Sequence, residues 1–278
     1  MGKSIALACS AASVSKPGYY KWLTNKEQKP KDYDDYLVIK VIFEKGHKKL
    51  GWRQVQMRLG DSAIAMNHKK IRRIMNHYGL YCEVRRKNPY KNIMKKTREH
   101  RTLENLLDRN FVQLIPKKVL CTDITYLYYS GGRKAYLSVI KDIASGEALA
   151  WEISQNLELA FVLNTVSQLE GLGLQADCII HSDQGFHYTN PLYIQKVKQL
   201  NIIQSMSRKG NCIDNAPMES FFGHCKDELD FRSCTTFAEL TVKVNEYMRY
   251  YNHTRKQWGL KKMTPAQYRD HLLAATAA

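Results

Sequence analysis

The sequence has no apolar run approaching the roughly 20 residues that a membrane-spanning helix needs, which argues against a helical membrane protein. The stretch from Ile5 to Cys9 (IALAC) is too brief for a secretory core. Cysteine supplies no framework: the seven are odd in number, scattered and without a CxxC pair, the pattern of a reduced, cytoplasmic chain. Cys212, His224, Cys225 and Cys234 stand at spacings that fit no standard zinc site. No GxxxxGK followed by Ser or Thr occurs, so no P-loop ATP site is expected. Internal repeats of roughly 20 to 50 residues are missing, as is a heptad run for a leucine zipper. The clearest shortage is of acid, with 26 Asp and Glu against 43 Lys and Arg.

That shortage is uneven. Residues 1 to 110 carry 25 basic and 10 acidic residues, whereas 111 to 278 carry 18 and 16. A polycationic front that still contains periodic apolar residues calls for a polyanionic partner, and nucleic acid is the commonest. A basic solvated surface is the plainer reading. With 44% apolar residues over 278, the chain can bury a core. Composition divides it into a helical region at 1–82, a basic linker at 83–115, an α/β region at 116–230 and a helical extension at 231–278.

In the first region, Ile71, Ile74, Met75 and Tyr78 recur at helical spacing between Asn67, a suitable N-cap, and Gly79, a suitable C-cap. Lys69, Lys70, Arg72, Arg73 and His77 lie off that stripe. A DNA recognition helix needs this division, with one face docked on its domain and the other offering cations to phosphates and base edges. An ordinary solvated helix face would show it too. In the linker, 84–101 (VRRKNPYKNIMKKTREHR) holds eight basic residues and one acid without periodicity. Arg85, Arg86 and Lys87 are therefore further candidates for a DNA backbone.

From Lys117 onward the pattern becomes one of strands. VLCTDITYLYYS (119–130) is rich in β-branched and aromatic residues, Gly131-Gly132 makes a hairpin turn, and 133–145 and 148–154 supply the next two strands. Helices at 159–169, 191–200 and 214–228 alternate with strands at 177–183 and 202–207. The last helix is expected to open with a Thr236 to Glu239 capping box and to carry Phe237, Leu240, Val244, Tyr247 and Tyr251 on one stripe. Three antiparallel strands followed by alternating helix and strand describe a mixed α/β sheet.

Three acids fall near one edge of such a sheet: Asp123 in the first strand, Asp183 at the end of the fourth, and Glu219 early in the helix after the fifth. Carboxylates are the ligands magnesium prefers, and two such ions can clamp the attacking and leaving oxygens of a phosphoryl transfer. Each acid also has a plainer reading. Asp183 could begin a turn, and Glu219 could favour a helix start. Asp123 is a charge within an apolar strand, costly unless paired or bound to metal. Among neighbouring residues, Asp142 fits a strand-end turn, Asp214 and Asn215 a helix cap, and His181 and His187 packing or DNA contact. Ser207, Arg208 and Lys209 fit a turn that touches phosphate.

TDITY at 122–126, HSDQG at 181–185 and SRKGNCIDNAPMESFFGHCK at 207–226 resemble the three blocks of the OrfB-type transposases of the IS-three family of insertion sequences. Thirty-five residues separate Asp183 from Glu219, and Lys226 stands seven after Glu219, where that family keeps a basic residue. GYYKWL (18–23), LGWRQVQMRL (50–59) and YYNHTRKQWGL (250–260) extend the resemblance more loosely. Cys121 departs from it where Trp is usual, and His187 where Gln is common. The resemblance implies a ribonuclease H-like catalytic core shared with retroviral integrases, preceded by a helix-turn-helix-like region, though without the integrase zinc module. It implies a DDE transposase in which Asp123, Asp183 and Glu219 are catalytic and hold two Mg2+ ions, with Mn2+ as a substitute, and Lys226 reaches phosphate. Its DNA would be the element's terminal inverted repeats and the target, cut and joined through a circular intermediate. The implied partners are a second copy on DNA and the product of an upstream overlapping frame, in a bacterial cytoplasm. A non-catalytic DNA-binding regulator and a non-specific nuclease of the same fold are the alternatives.

Overall fold

The computed structural model describes residues 4–26, 30–82, 103–208 and 212–277. They belong to two compact units, Met1–Cys82 and Glu83–Ala278. The first is helical: α1 (Ile5–Ala11), α2 (Lys16–Lys26), α3 (Tyr33–Lys45), α4 (Trp52–Asp61) and α5 (His68–His77). Apolar residues four apart, Ile39 and Phe43 on α3 and Val55 and Leu59 on α4, meet Ile71, Ile74 and Met75 of α5 in one buried cluster. The ends of α5 are those the sequence predicts. Asn67 Oδ1 accepts from Lys69 N at 2.8 Å. Gly79, at φ 65°, closes the helix in a Schellman turn, with Leu80 N donating to Met75 O and Gly79 N to Asn76 O.

The second unit is built on strands β1 (Val119–Tyr129), β2 (Arg133–Asp142), β3 (Ala148–Ser154), β4 (Ile179–Ser182) and β5 (Ile203–Met206). They form one sheet in the order β3-β2-β1-β4-β5, antiparallel across β3, β2 and β1 and parallel across β1, β4 and β5. This is the mixed sheet of the ribonuclease H-like fold. A tight turn over Ser130–Gly132 joins β1 to β2, and Gly131 at φ 71° and Gly132 at φ 119° adopt backbone that a side chain resists. Helices α6 (Leu159–Ser167), α7 (Phe186–Thr189), α8 (Pro191–Gln199), α9 (Ala216–Glu228), α10 (Phe237–His253) and α11 (Pro265–Ala277) complete the unit.

Strand alternation divides the core between the two faces of the sheet. On β1, Val119, Cys121, Leu127 and Tyr129 join Met218 and Phe221 of α9 and Leu240, Val244 and Met248 of α10. Leu120 of the same strand joins Phe161 and Val162 of α6 and Tyr193 and Val197 of α8. The Thr236 to Glu239 capping box forms as predicted, and α10 packs on the sheet.

Three expectations shift. β2 stops at Asp142, because that side chain takes up the backbone of the following turn, accepting from Ser145 N and from Lys117 N at 3.0 Å each. The four-residue α7 follows Asp183 without any periodicity to announce it. Nor is α10 the last helix: α11 follows, opened by its own reciprocal cap, in which Gln267 N donates to Thr264 Oγ1 and Thr264 N to Gln267 Oε1. Among the described residues no helix is long and apolar enough to cross a membrane.

Candidate active site

β1 and β4 run parallel with Val119 opposite Ile179, Leu120 opposite Ile180 and Cys121 opposite His181. Two residues further along each chain stand Asp123 and Asp183, just beyond the residues that pair β1 with β4: Asp123 lies inside β1, opposite Val139 of β2, and Asp183 follows the last residue of β4. Both are half-buried. Asp123 Oδ1 accepts from Ile124 N at 2.7 Å, and Asp183 Oδ1 accepts from Gly185 N at 2.8 Å. A Cβ at position 185 would stand 2.7 Å from that carboxylate oxygen, which is why glycine follows in HSDQG. Both acids bear on the buried Tyr188 hydroxyl, whose pKa is raised first by burial, then by Asp123 and Asp183. Burial also pushes the Cys121 thiol up to about 12, so this residue is an inert part of the core.

The third acid arrives on α9. Asn215 stands at its N-cap position, but its side chain makes no capping bond. Instead Asn215 Nδ2 donates to Thr122 O at 3.3 Å, fastening the start of the helix to the residue before Asp123. Glu219, in the first turn, is exposed, yet partial desolvation still raises its carboxyl pKa. Lys226, two turns on, holds its ammonium 4.6 Å from the centroid of the Tyr126 ring. Among the described residues no group of three or more His, Cys, Asp or Glu stands close enough to hold a metal ion. The three carboxylates thus come from adjoining elements without converging, and like charges brought together without a cation repel. As an all-oxygen donor set they suit a hard divalent cation such as magnesium.

Asp214 is not a helix cap. It is buried and accepts from Arg208 N and Nε at 3.0 Å, from Arg109 Nε at 2.7 Å and from Asn105 Nδ2 at 3.2 Å. The Arg208 hydrogen bond leads the causes that hold the Asp214 carboxyl far below the usual carboxylate range. Arg208, read from sequence as a phosphate contact, is therefore engaged with Asp214 and with Asp108. His181 is buried and pairs Nδ1 with Ser205 Oγ at 2.9 Å, bracing β4 against β5, and burial lowers its pKa. His187 points a ring nitrogen at Leu157 O, 3.4 Å away. Asp142 is sealed in a strand-end turn, as its sequence setting predicts.

On α5, Lys70 pairs with Asp35 and Arg73 with Asp32, each at 2.6 Å. Lys69 and Arg72 are exposed, and the Arg72 guanidinium lies 5.8 Å from the Trp52 ring centroid. Arg85, Arg86, Lys87 and Lys209 lie outside the described residues. Sequence reasoning missed Asn105 and Arg109, which tie the chain before β1 to Asp214. It also missed two residues of the 250–260 segment. Asn252 bonds both N and O of Ala148 on β3, and Arg255 is buried in a fork with Glu228 at 2.6 to 2.9 Å. The signal for these was present in the resemblance of that segment, without a role attached.

Family models described as "Integrase core domain" match residues 113–212 and 219–273, and one described as "HTH-like domain" matches 31–88. An "Uncharacterized transposase-like protein" of Haemophilus influenzae is 39% identical over 217 residues, covering 76% of this chain and 96% of its own. The "Transposase for insertion sequence element IS904" of Lactococcus lactis is 32% identical over 236 residues, covering 84% and 92%. The "Insertion element IS600 uncharacterized 31 kDa protein" of Shigella sonnei is 31% identical over 280 residues, covering 96% of this chain and 100% of its own. With near full-length relatives of this kind and an integrase core in its second unit, the chain belongs to the OrfB-type DDE transposases of the IS-three family of insertion sequences.

Proposed function

We propose that the chain cuts and joins DNA at the ends of an insertion sequence, with Asp123, Asp183 and Glu219 as the catalytic carboxylates and holders of two Mg2+ ions. The observation that carries this reading is the parallel register of β1 and β4, which sets Asp123 and Asp183 each two residues past the last pair, Cys121 and His181. The Asn215 bond to Thr122 O supports the inclusion of Glu219. When bound, the ions supply Lewis-acid charge and an acidified water.

The reaction is a pair of in-line phosphoryl transfers. Water first breaks the phosphodiester at the element end, and the freed 3′-hydroxyl then attacks a second phosphodiester. The carboxylates orient the reacting groups, and Lys226, on the helix of Glu219, attracts substrate phosphate. Lys69 and Arg72 of α5, together with Arg85, Arg86 and Lys87 of the linker, supply positive charge to the duplex.

The test uses an oligonucleotide containing the element end, taken from the DNA that flanks the gene, with Mg2+ or with EDTA. Asp123→Asn and Glu219→Gln should each cleave at below about a thousandth of the wild-type rate while still binding the probe. Full cleavage by either variant would sink the assignment. An inert wild type that binds the probe would favour the non-catalytic regulator.

A further inference from the structure

Beyond Asp123, β1 carries Tyr126 and Tyr128 on one face, and the register sets Tyr136 of β2 opposite Tyr126 and Lys134 opposite Tyr128. The four side chains therefore form a cross-strand square. The Lys134 ammonium lies 5.9 Å from the ring centroids of Tyr126 and Tyr128 and 5.7 Å from that of Tyr136. Lys226 adds a second ammonium over Tyr126 from α9. Tyr126 and Tyr128 meet edge to face at 5.4 Å, and they are 38% and 47% exposed.

Tyrosine is a good strand former, so two of them on β1 need no special cause. Local strand stability does not, however, call for two lysines from different elements over one set of rings. Nor does it call for aromatic faces kept in water. Rings interleaved with cations are what proteins use to hold unpaired nucleotides, the bases stacking and the phosphates meeting the ammonium groups. β1 pairs with β4 only from Val119 to Cys121, so among the described residues the strand has no β4 neighbour from Thr122 onward. Tyr126 is three residues past Asp123, roughly 10 Å along the strand, and strand alternation turns it to the other face. Lys226, on the helix that carries Glu219, still reaches the Tyr126 ring, and so links the rings to the candidate site.

We infer that Tyr126, Tyr128, Tyr136 and Lys134, with Lys226, form a stacking platform for unpaired nucleotides at the DNA end. The inference rests on the proposed strand-cutting function and deepens it. It assigns to the β1–β2 hairpin the single-stranded part of a substrate whose duplex part lies elsewhere. Exposed cation–π contacts are weak, so Lys134 can exchange the rings for a phosphate at little cost.

The experiment measures binding of the full chain to two fluorescent probes, an oligothymidylate strand and a blunt duplex, in EDTA so that no cutting intervenes. Tyr128→Ala should weaken strand binding about ten-fold and leave duplex binding within about two-fold. Tyr128→Phe should match the wild type, because the ring and not the hydroxyl does the stacking. Tyr128→Val, which keeps a strand-forming side chain, should repeat the alanine result and guards against a folding defect. Unchanged strand binding in both Tyr128→Ala and Tyr128→Val would overturn the platform. So would an equal loss on the duplex, or a phenylalanine variant as weak as alanine. Neither probe is cut, so the outcome does not depend on whether Asp123 variants keep cleaving.

Discussion

Two places on the same sheet treat aspartate differently. At the end of β2, Asp142 is fully buried and surrounded by donors from Ser145 and from Lys117 N. Where the β1–β4 pairing stops, Asp123 and Asp183 are half-buried and accept from the backbone just after them. A carboxylate sealed inside must be satisfied by the protein, or it costs more than it contributes. One left half in water can exchange that water for something that arrives later. The same division separates Asp214, held by two arginines, from Glu219 five residues on.

The largest effect should come from exchanging each aspartate for asparagine across this divide. Asp123→Asn is expected to remove cleavage to below about a thousandth while moving the melting temperature little. Asp142→Asn is expected to cost about 1 to 2 kcal/mol of stability and to leave the cleavage rate per folded molecule within a few-fold. Denaturant unfolding and single-turnover cleavage on the same preparations compare the two. If Asp142→Asn proved the catalytically dead variant, the assignment of roles to the two places would be reversed.

Next in size is the buried fork of Arg255 on Glu228. Burial opposes the Arg255 charge, and the Glu228 carboxylate, with smaller help from Tyr247 and Tyr251, outweighs that opposition. Arg255→Met should destabilise by about 3 kcal/mol because it strands a carboxylate. Arg255→Met with Glu228→Leu should recover most of the loss, since two matched apolar groups replace two matched charges. A double variant no better than the single one would mean that the fork holds α9 and the end of α10 together in a way packing cannot replace.

The two sealed aspartates should differ in acid. Asp214 sits below the usual carboxylate range in the folded state, so its contribution is present above the unfolded pKa and is lost as pH falls from there toward the folded value. Asp142 is raised, by burial above all, so the fold binds its proton more readily than the unfolded chain does. Its contribution therefore grows as pH falls through the raised value to the unfolded one. Urea unfolding against pH should show Asp214→Asn flattening the acid loss of stability and Asp142→Asn steepening it. At neutral pH, Asp214→Asn should cost about 2 kcal/mol, less than a wholly buried pair, because both arginine partners are partly in water. Parallel pH curves for the two variants would contradict these opposed directions.

Local features of this fold were legible in the sequence, and features made by distant chain were not. The α5 helix could be read from Asn67 to Gly79 because stripe, cap and Schellman glycine all lie within one short window. β1 and β3 were legible because β-branched and aromatic residues there match the alternation of a half-buried strand. α7 was not, since four residues beside Gly185 become helical by packing and carry no period of their own. α11 had a readable Thr264 to Gln267 box spanning Pro265, but the helix behind it carries no clear apolar stripe. For the candidate site, the residue types and the Asp183 to Glu219 separation were open to reading. That Asp123 and Asp183 adjoin depends on a parallel pairing between segments 60 residues apart. The hold of Arg109 on Asp214 spans 105 residues and leaves no local trace.

The smallest expected effect carries the comparison into the first unit, where cations divide as the acids do. Arg73 and Lys70 of α5 are paired with Asp32 and Asp35 at the start of α3, whereas Arg72, one residue away from Arg73, lies over Trp52. The Asp32 carboxyl is held below its ordinary pKa by the Arg73 hydrogen bond first, while both groups remain in water. Exposed pairs contribute little to stability, so Arg73→Gln should unfold at the same denaturant midpoint as the wild type. If α5 meets a DNA backbone, Arg72→Gln should weaken duplex binding several-fold at every sequence and lower the slope of log affinity against log salt by about one. Arg73→Gln should change that slope by less, because Asp32 already screens its charge from phosphate. Salt titrations of duplex binding by both variants decide it. Equal slopes would mean that Asp32 gives Arg73 up when DNA arrives. The pairing on α5 would then be a resting arrangement that the duplex replaces.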